Sequence, residues 1–118
     1  MMSALTILIL EDEPLVRMDL EMAAEDAGCT PRAAGTLDDA MGLLDESAPD
    51  TAILDLNLGN GVTSRSVAER LHAAGITFLI LTGDHHTDMP WLEAIGAPVL
   101  RKPHISDDVI RRAMKLVA

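Results

Sequence analysis

Aromatic side chains are almost missing from this chain, which has one Phe, one Trp and no Tyr. Proteins that bind single-stranded nucleic acid usually stack the bases on aromatic rings, so we do not expect that mode of binding. Basic residues are also scarce. Only 9 Lys and Arg stand against 19 Asp and Glu, a formal net charge of −10, and such a surface repels phosphate backbones. The composition therefore argues against nucleic acid as a partner.

Cysteines and long apolar segments are scarce as well. Cys29 is the only cysteine, so the chain can form neither an intramolecular disulfide nor a cluster of thiolate metal ligands. The apolar run at residues 5–10 is far too short to span a bilayer, and no basic segment precedes it. We therefore expect a cytoplasmic protein that makes no membrane contact.

What the sequence does contain is typical of one globular domain. The 118 residues are 48% hydrophobic and 24% charged, enough apolar material for an aliphatic core. The charge is unevenly distributed, because residues 1–60 hold 13 of the 19 acids and only two bases, Arg17 and Arg32. All of the excess negative charge therefore lies in the first half of the chain.

Short aliphatic runs alternate with amphipathic stretches along the chain. The runs predict strands at residues 5–10, 30–34, 51–55, 78–81 and 99–101. The first predicted helix begins at Pro14, ends at Gly28 and carries Leu15, Met18 and Met22 on one face. Further helices are predicted from a Thr36 cap, over about 64–74, and from a Ser106 cap. This alternation predicts an α/β fold, a doubly wound five-stranded parallel sheet with helices on both faces.

Polar residues follow the predicted strands. The first strand is followed by two acids, the third ends in an acid, and the fourth and fifth lead to a hydroxyl and an ammonium: Glu11, Asp12, Asp55, Thr82 and Lys102. Ligands of such sheets bind at the carboxyl ends of the strands. Carboxylates brought together there need a cation, and an all-oxygen donor set suits Mg²⁺. A hydroxyl and a lysine opposite the metal would hold a phosphoryl group, and Asp55 would be the nucleophile that receives it.

Four short motifs in this order resemble one protein family: Glu11-Asp12-Glu13-Pro14, Asp55-Leu56-Asn57, Thr82-Gly83 and Lys102-Pro103. Across essentially its whole length the chain resembles a receiver domain of bacterial two-component response regulators. The resemblance implies a flavodoxin-like receiver fold with strand order 2-1-3-4-5. It also implies a histidine kinase or a histidine phosphotransfer protein as the phosphoryl donor.

The resemblance assigns a role to each site residue. Asp55 would be the phosphoacceptor, Asp12 a direct Mg²⁺ ligand and Glu11 a ligand through water. Asn57 would offer its backbone carbonyl to the metal. The phosphoryl oxygens would be bound by Thr82 and Lys102, and the peptide bond between Lys102 and Pro103 would be cis.

Two features depart from the usual family pattern. Val99 stands where the family usually has Tyr or Phe, which implies that coupling through an aromatic ring is missing. The segment between Thr82 and Lys102 is short and rich in Gly and Pro, so we expect a short or mobile fourth helix, at most a turn or two near 91–95. Both features resemble a group of single-domain receivers with a Phe-Ala-Thr-Gly motif, of which residues 80–83 keep only Thr-Gly. The segment 11–16 and the acidic helix after it resemble receivers that work with a divergent class of histidine kinases.

The last predicted helix ends almost at Ala118, so we expect a stand-alone receiver over residues 1–118 with no output domain. Such a protein would signal by protein contact or by shuttling phosphate. One alternative is a Mg²⁺-dependent phosphatase with an aspartyl-phosphate intermediate, although such enzymes generally place the nucleophile on the first strand and carry a cap. Another is a receiver-like interaction module that is never phosphorylated.

His85, His86 and Asp88 form a second group of possible metal ligands. Adjacent histidines point apart, and no further ligand is near in sequence, whereas transition-metal sites normally need three or four converging ligands. We therefore predict a solvated loop at this position.

Overall fold

A computed structural model of the protein describes residues 4–83 and 89–117 and contains one five-stranded sheet. Its sheet contains β1 (Thr6–Leu10), β2 (Thr30–Ala34), β3 (Thr51–Asp55), β4 (Thr77–Thr82) and β5 (Val99–Arg101). All pairings are parallel, and the order is β2-β1-β3-β4-β5. The predicted five-stranded, doubly wound, flavodoxin-like sheet and its strand order are confirmed. The predicted loop with His85, His86 and Asp88 lies outside the described residues.

Helices cover both faces of this sheet. Within the described residues they are α1 (Pro14–Asp26), α2 (Leu37–Glu46), α3 (Arg65–Ala73), α4 (Pro90–Ile95) and α5 (Ser106–Lys115). On one face α1 and α5 pack against Ile7 and Ile9, and on the other α2, α3 and α4 pack around Leu8 and Leu10. Successive residues of a strand point to opposite faces, so one apolar run supplies both layers of the core.

The register of the central strands determines which residues meet at the edge of the sheet. Leu10 of β1 pairs with Leu54 of β3, and Asp55 pairs with Leu81 of β4. The residues after β1, the last residue of β3 and Thr82 at the end of β4 therefore lie at one edge. This is the carboxyl edge, where parallel sheets bind their ligands.

Helix α1 does not bury the apolar face that was identified in the sequence. Leu15, Met18 and Met22 share one face, but they are 73%, 49% and 55% exposed. The buried side consists of Leu20, Ala23 and Ala24. Small alanines let α1 lie close to the sheet and to α5, and a helical period alone does not show which of two apolar sides is covered. The protein consequently presents an uncovered apolar face along α1.

Helix ends follow the sequence at α2 and depart from it at α5. The hydroxyl of Thr36 accepts a hydrogen bond from the amide of Asp39 at 3.1 Å, so the predicted cap is confirmed. Ser106 is the first residue inside α5, and Ile105 holds the cap position without a side-chain bond, so that predicted cap is wrong by one residue.

The fourth helix is short, as predicted. Among the described residues, no helix is both long and apolar enough to cross a membrane.

Candidate functional site

Three carboxylates meet at the carboxyl edge of the sheet. Oxygen atoms of Glu11, Asp12 and Asp55 lie within 4.8 Å of one another. Glu11 is 0% and Asp55 6% exposed, so water screens their negative charges poorly. Carboxylates this close and this buried repel one another unless a cation lies between them. Their all-oxygen donor set fits Mg²⁺, which binds through one or two carboxylates and keeps several waters.

Lys102 supplies positive charge to this pocket. Its Nζ lies 3.1 and 3.3 Å from the two carboxylate oxygens of Glu11 and 3.6 Å from Oδ2 of Asp55. The amide of Lys102 donates to the carbonyl of Thr82 at 2.7 Å, which continues the pairing of β5 with β4 and directs the lysine into the pocket. The peptide bond before Pro103 is cis, as predicted. Of the two acids, Glu11 lies nearer to the lysine ammonium.

The pocket shifts the pKa of two of its groups. Burial raises the pKa of Asp55, the Glu11 carboxylate raises it further, and Lys102 opposes them; with a hydrogen bond and the charge of Asp12 the pKa reaches about 7. Burial lowers the pKa of Lys102, but the hydrogen bond to Glu11 and the nearby carboxylates outweigh burial, so this pKa is raised overall. Lys102 is therefore charged at neutral pH, while Asp55 is only partly ionised. A bound cation would favour the carboxylate form of Asp55.

Thr82 and Asn57 lie at or just beyond the carboxyl ends of the neighbouring strands β4 and β3. Thr82 is fully buried and pairs with Arg101 at the end of β4. Asn57 is exposed, two residues after Asp55, and forms a bridge with Thr63. The structure thus brings Glu11, Asp12, Asp55 and Lys102 together, as the sequence indicates, and places Thr82 at the end of β4 and Asn57 in the loop after β3.

The loop after β3 passes close to Asp12. A Cβ on Gly59 would lie 3.9 Å from Oδ2 of Asp12, and Gly59 has a φ of +87°. Asn60 and Gly61 also have positive φ, and the turn is closed by a hydrogen bond from the amide of Val62 to the carbonyl of Gly59. The glycines allow this left-handed backbone, which curls the loop beside the carboxylates.

Sequence reasoning missed one residue beside the site. A guanidinium nitrogen of Arg17 donates to the backbone carbonyl of Glu11 at 2.8 Å. The available signal was its isolation, since Arg17 and Arg32 are the two bases among residues 1–60. Arg32 is also engaged inside the fold, where it donates to carbonyls at the end of α2. Both basic residues of the acidic first half therefore donate hydrogen bonds to backbone carbonyls of the fold.

Comparison with known proteins identifies the family. A model described as the response regulator receiver domain matches residues 7–113. SdrG from Sphingomonas melonis Fr1 is 39% identical and has a TM-score of 0.79, with 98% of each chain covered. No functionally curated protein matches by sequence.

Two further solved structures share the fold at lower identity. A CheY-like receiver domain protein from Methanospirillum hungatei JF-1 is 18% identical, with a TM-score of 0.87 over 98% of this chain and 94% of that one. TrrA from Thermotoga maritima, solved in complex with Mg²⁺-BeF, is 21% identical, with a TM-score of 0.80 over 94% of this chain and 97% of that one. The motifs, the sheet order, the acidic pocket and the family match agree, and the chain belongs to the response regulator receiver domains, the signalling domains of two-component systems.

Proposed function

We propose that this protein is a phosphorylation switch that accepts a phosphoryl group on Asp55 in a Mg²⁺-dependent reaction. The donor is a histidine kinase or a histidine phosphotransfer protein, and the output is protein contact or onward transfer of phosphate. The observation that carries the proposal is the pocket itself, in which three carboxylates lie within 4.8 Å and Lys102 Nζ lies 3.6 Å from Asp55. A cation and a phosphoryl group are the ligands that this charge pattern suits.

Each pocket residue has a distinct part in the proposed reaction. Asp12 and Asp55 would bind the metal directly, Glu11 would bind it through water, and Asn57 would contribute its backbone carbonyl. Bound Mg²⁺ would neutralise part of the negative charge that builds up on the transferring group. An oxygen of Asp55 attacks the phosphorus of phosphohistidine, the new O–P bond forms, and the imidazole nitrogen keeps the electrons of the broken P–N bond.

The remaining two residues act on the phosphoryl oxygens. Thr82 donates its hydroxyl hydrogen to one oxygen, and the ammonium of Lys102 binds another. Lys102 already lies between Glu11 and Asp55, so a short movement of its flexible side chain transfers it to the phosphoryl group. Charge-assisted hydrogen bonds of this kind hold the product without any further covalent step.

The exposed side of α1 offers a docking surface for the donor. We define the α1 face as Leu15, Met18 and Met22 together with Ile105, which is 68% exposed before α5. Met22 and Ile105 line one groove, and three acids share that groove: Asp19, Asp26 and Asp107. The α1 face begins just after the acids that follow β1, so a protein seated on it can present a histidine to Asp55. An apolar helical surface with a basic rim is the complementary partner.

One assay tests the proposed phosphorylation. The protein is incubated with acetyl phosphate and Mg²⁺, and its intact mass is measured. We expect a single added phosphoryl group on the wild type, none on Asp55→Asn, and one on Asp38→Asn, an exposed acid of α2 that serves as the matched control.

The possible results separate the candidate functions. A wild type that takes up neither phosphate nor beryllofluoride would be an interaction module and not a switch. An adduct that survives in Asp55→Asn would contradict the assignment of the acceptor. Rapid turnover of unrelated phosphomonoesters would favour a phosphatase.

A further inference from the structure

Arg17 reaches back from α1 to the loop that carries two of the metal-site acids. Its Nη1 donates to the carbonyl of Glu11 at 2.8 Å, while its own amide donates to the carbonyl of Glu13 at 2.9 Å. The side chain therefore connects α1 back to the residue that directly follows β1. The guanidinium lies at the start of the segment Glu11-Asp12, not on the outer surface with the other charges of the helix.

Gly35 forms the surface against which this guanidinium lies. A Cβ at Gly35 would be 2.6 Å from Nη1 and 3.4 Å from Cζ of Arg17. Of the described glycines it is the one at which a Cβ would come within 3 Å of another atom, and its φ is not in the left-handed region. Space for Arg17, and not an unusual backbone conformation, therefore accounts for glycine at this position.

The backbone of Glu11 is thus held from two directions. Its amide donates to the carbonyl of Ala34 at 3.0 Å, directly before Gly35, and its carbonyl accepts from Arg17. Its carboxylate in turn accepts from Lys102 and from the amide of Glu13. A fixed backbone at Glu11 also fixes the starting point of Asp12, the next residue.

We infer that Arg17, seated on Gly35, is a positioning residue that holds Glu11 and Asp12 in the geometry required for Mg²⁺. The inference rests on the proposed function, since it assumes that these acids bind Mg²⁺. Residues that orient metal ligands without touching the metal commonly contribute to affinity, because the ligands then lose less freedom on binding. No step of the phosphoryl transfer is assigned to Arg17.

The test is a double-mutant cycle in which Mg²⁺ affinity is measured by isothermal titration calorimetry. We expect Arg17→Ala to weaken Mg²⁺ binding roughly 10- to 100-fold, with partial recovery in Arg17→Lys, which keeps one donor for the Glu11 carbonyl. Gly35→Ala should weaken binding while Arg17 is present, because its methyl group displaces the guanidinium. In the Arg17→Ala background the same change should have an effect below about twofold, since nothing remains to be displaced.

Gly42→Ala is the matched control, because a Cβ at Gly42 meets no atom within 4 Å. It should leave Mg²⁺ affinity unchanged. The free energy of unfolding of every variant is measured in EDTA, so that a loss of stability is separated from a loss of metal affinity. If Arg17→Ala does not fold, Gly35→Ala, which retains the arginine, still tests the contact.

Three results would overturn the inference. Wild-type Mg²⁺ affinity in both Arg17→Ala and Gly35→Ala would show that the contact does not position the acids. Fully additive effects of the two substitutions would show that they act independently. A wild type that does not bind Mg²⁺ would overturn the proposed function together with this inference, whereas normal binding with unaffected variants overturns the inference alone.

Discussion

At the scale of single residues, the pocket combines groups whose charges oppose one another. Glu11 and Asp55 are buried side by side, and Lys102, with a side chain 26% exposed, offsets part of their repulsion. The single charge of Lys102 does not offset the repulsion completely, and Asp55 therefore remains only partly ionised at neutral pH. Stability and metal binding are therefore coupled through the protonation of one carboxyl group.

The metal-free protein should lose stability as the pH rises towards neutrality. Folded Asp55, with its pKa of about 7, keeps a proton that the unfolded chain releases around 3.8. Its contribution is therefore fully present below 3.8 and is lost as the pH rises through about 7. Relative to Asp55→Asn, we expect wild-type stability in EDTA to fall by on the order of 2–4 kcal/mol across this range, measured by urea unfolding. Parallel pH profiles of the two proteins would contradict this coupling, and Asp38→Asn should follow the wild type.

Removal of the lysine charge should destabilise the metal-free protein. Lys102→Met leaves Glu11 buried without its cation, and we expect a loss on the order of 2–3 kcal/mol, less than for a wholly buried pair because the lysine is partly exposed. Mg²⁺ should stabilise this variant more than the wild type, since the ion replaces the missing charge. Urea unfolding in EDTA and in Mg²⁺ measures both effects, with the exposed Lys115→Met as the control. A variant as stable as the control in EDTA would show that the Glu11–Lys102 contact has little value.

At the scale of secondary-structure elements, short-range contacts were largely predictable, apart from the one-residue error at the Ser106 cap, whereas the buried face of α1 was not. The Thr36 cap depends on one hydroxyl and one amide close in sequence, so the pattern alone identifies it. The buried side of α1 depends on what lies beside the helix, and the sheet and α5 cover the side with Leu20, Ala23 and Ala24 and leave Leu15 and Met18 exposed. The acids of the pocket were predictable because they follow the ends of predicted strands, whereas no sequence pattern predicts that the Arg17 side chain reaches the carbonyl of Glu11.

Charge placed on the α1 face should reduce phosphotransfer without unfolding the protein. Met22→Glu changes an exposed side chain, so we expect a stability change within about 0.5 kcal/mol and unchanged labelling by acetyl phosphate. Transfer from a histidine kinase that phosphorylates the wild type should slow about tenfold or more, because a buried charge at an interface is left unpaired. Val117→Glu, at an exposed apolar position two residues after α5, is the control. Equal transfer rates for the two variants would remove the α1 face as the docking surface.

At the scale of the whole molecule, β5 and α4 are the elements through which a change at the proposed phosphorylation site would reach the rest of the protein. The usual aromatic position is Val99, which is 36% exposed on the edge strand β5, so no ring can move inward there. Helix α4 is short and is anchored to the core by Leu92, with Trp91 packed against the same cluster. We expect this helix to be the element that responds to a change near Thr82.

Trp91 gives a direct signal for that change. We expect its fluorescence to shift when Mg²⁺ and beryllofluoride are added to the wild type, because the partly buried indole responds to small movements of α4. Asp55→Asn should show no shift, since it lacks the proposed acceptor carboxylate. An unchanged spectrum in wild type at proven saturation would show that α4 is not coupled to the site.

The hydrogen bond between Lys102 and Glu11 joins residues 91 positions apart, and the pocket draws on the ends of four different strands. An unfolded or partly folded copy therefore lacks the assembled pocket. On the proposed function only native molecules accept a phosphoryl group, so the phosphorylated fraction would report correctly folded protein and misfolded copies would take no phosphate from the donor.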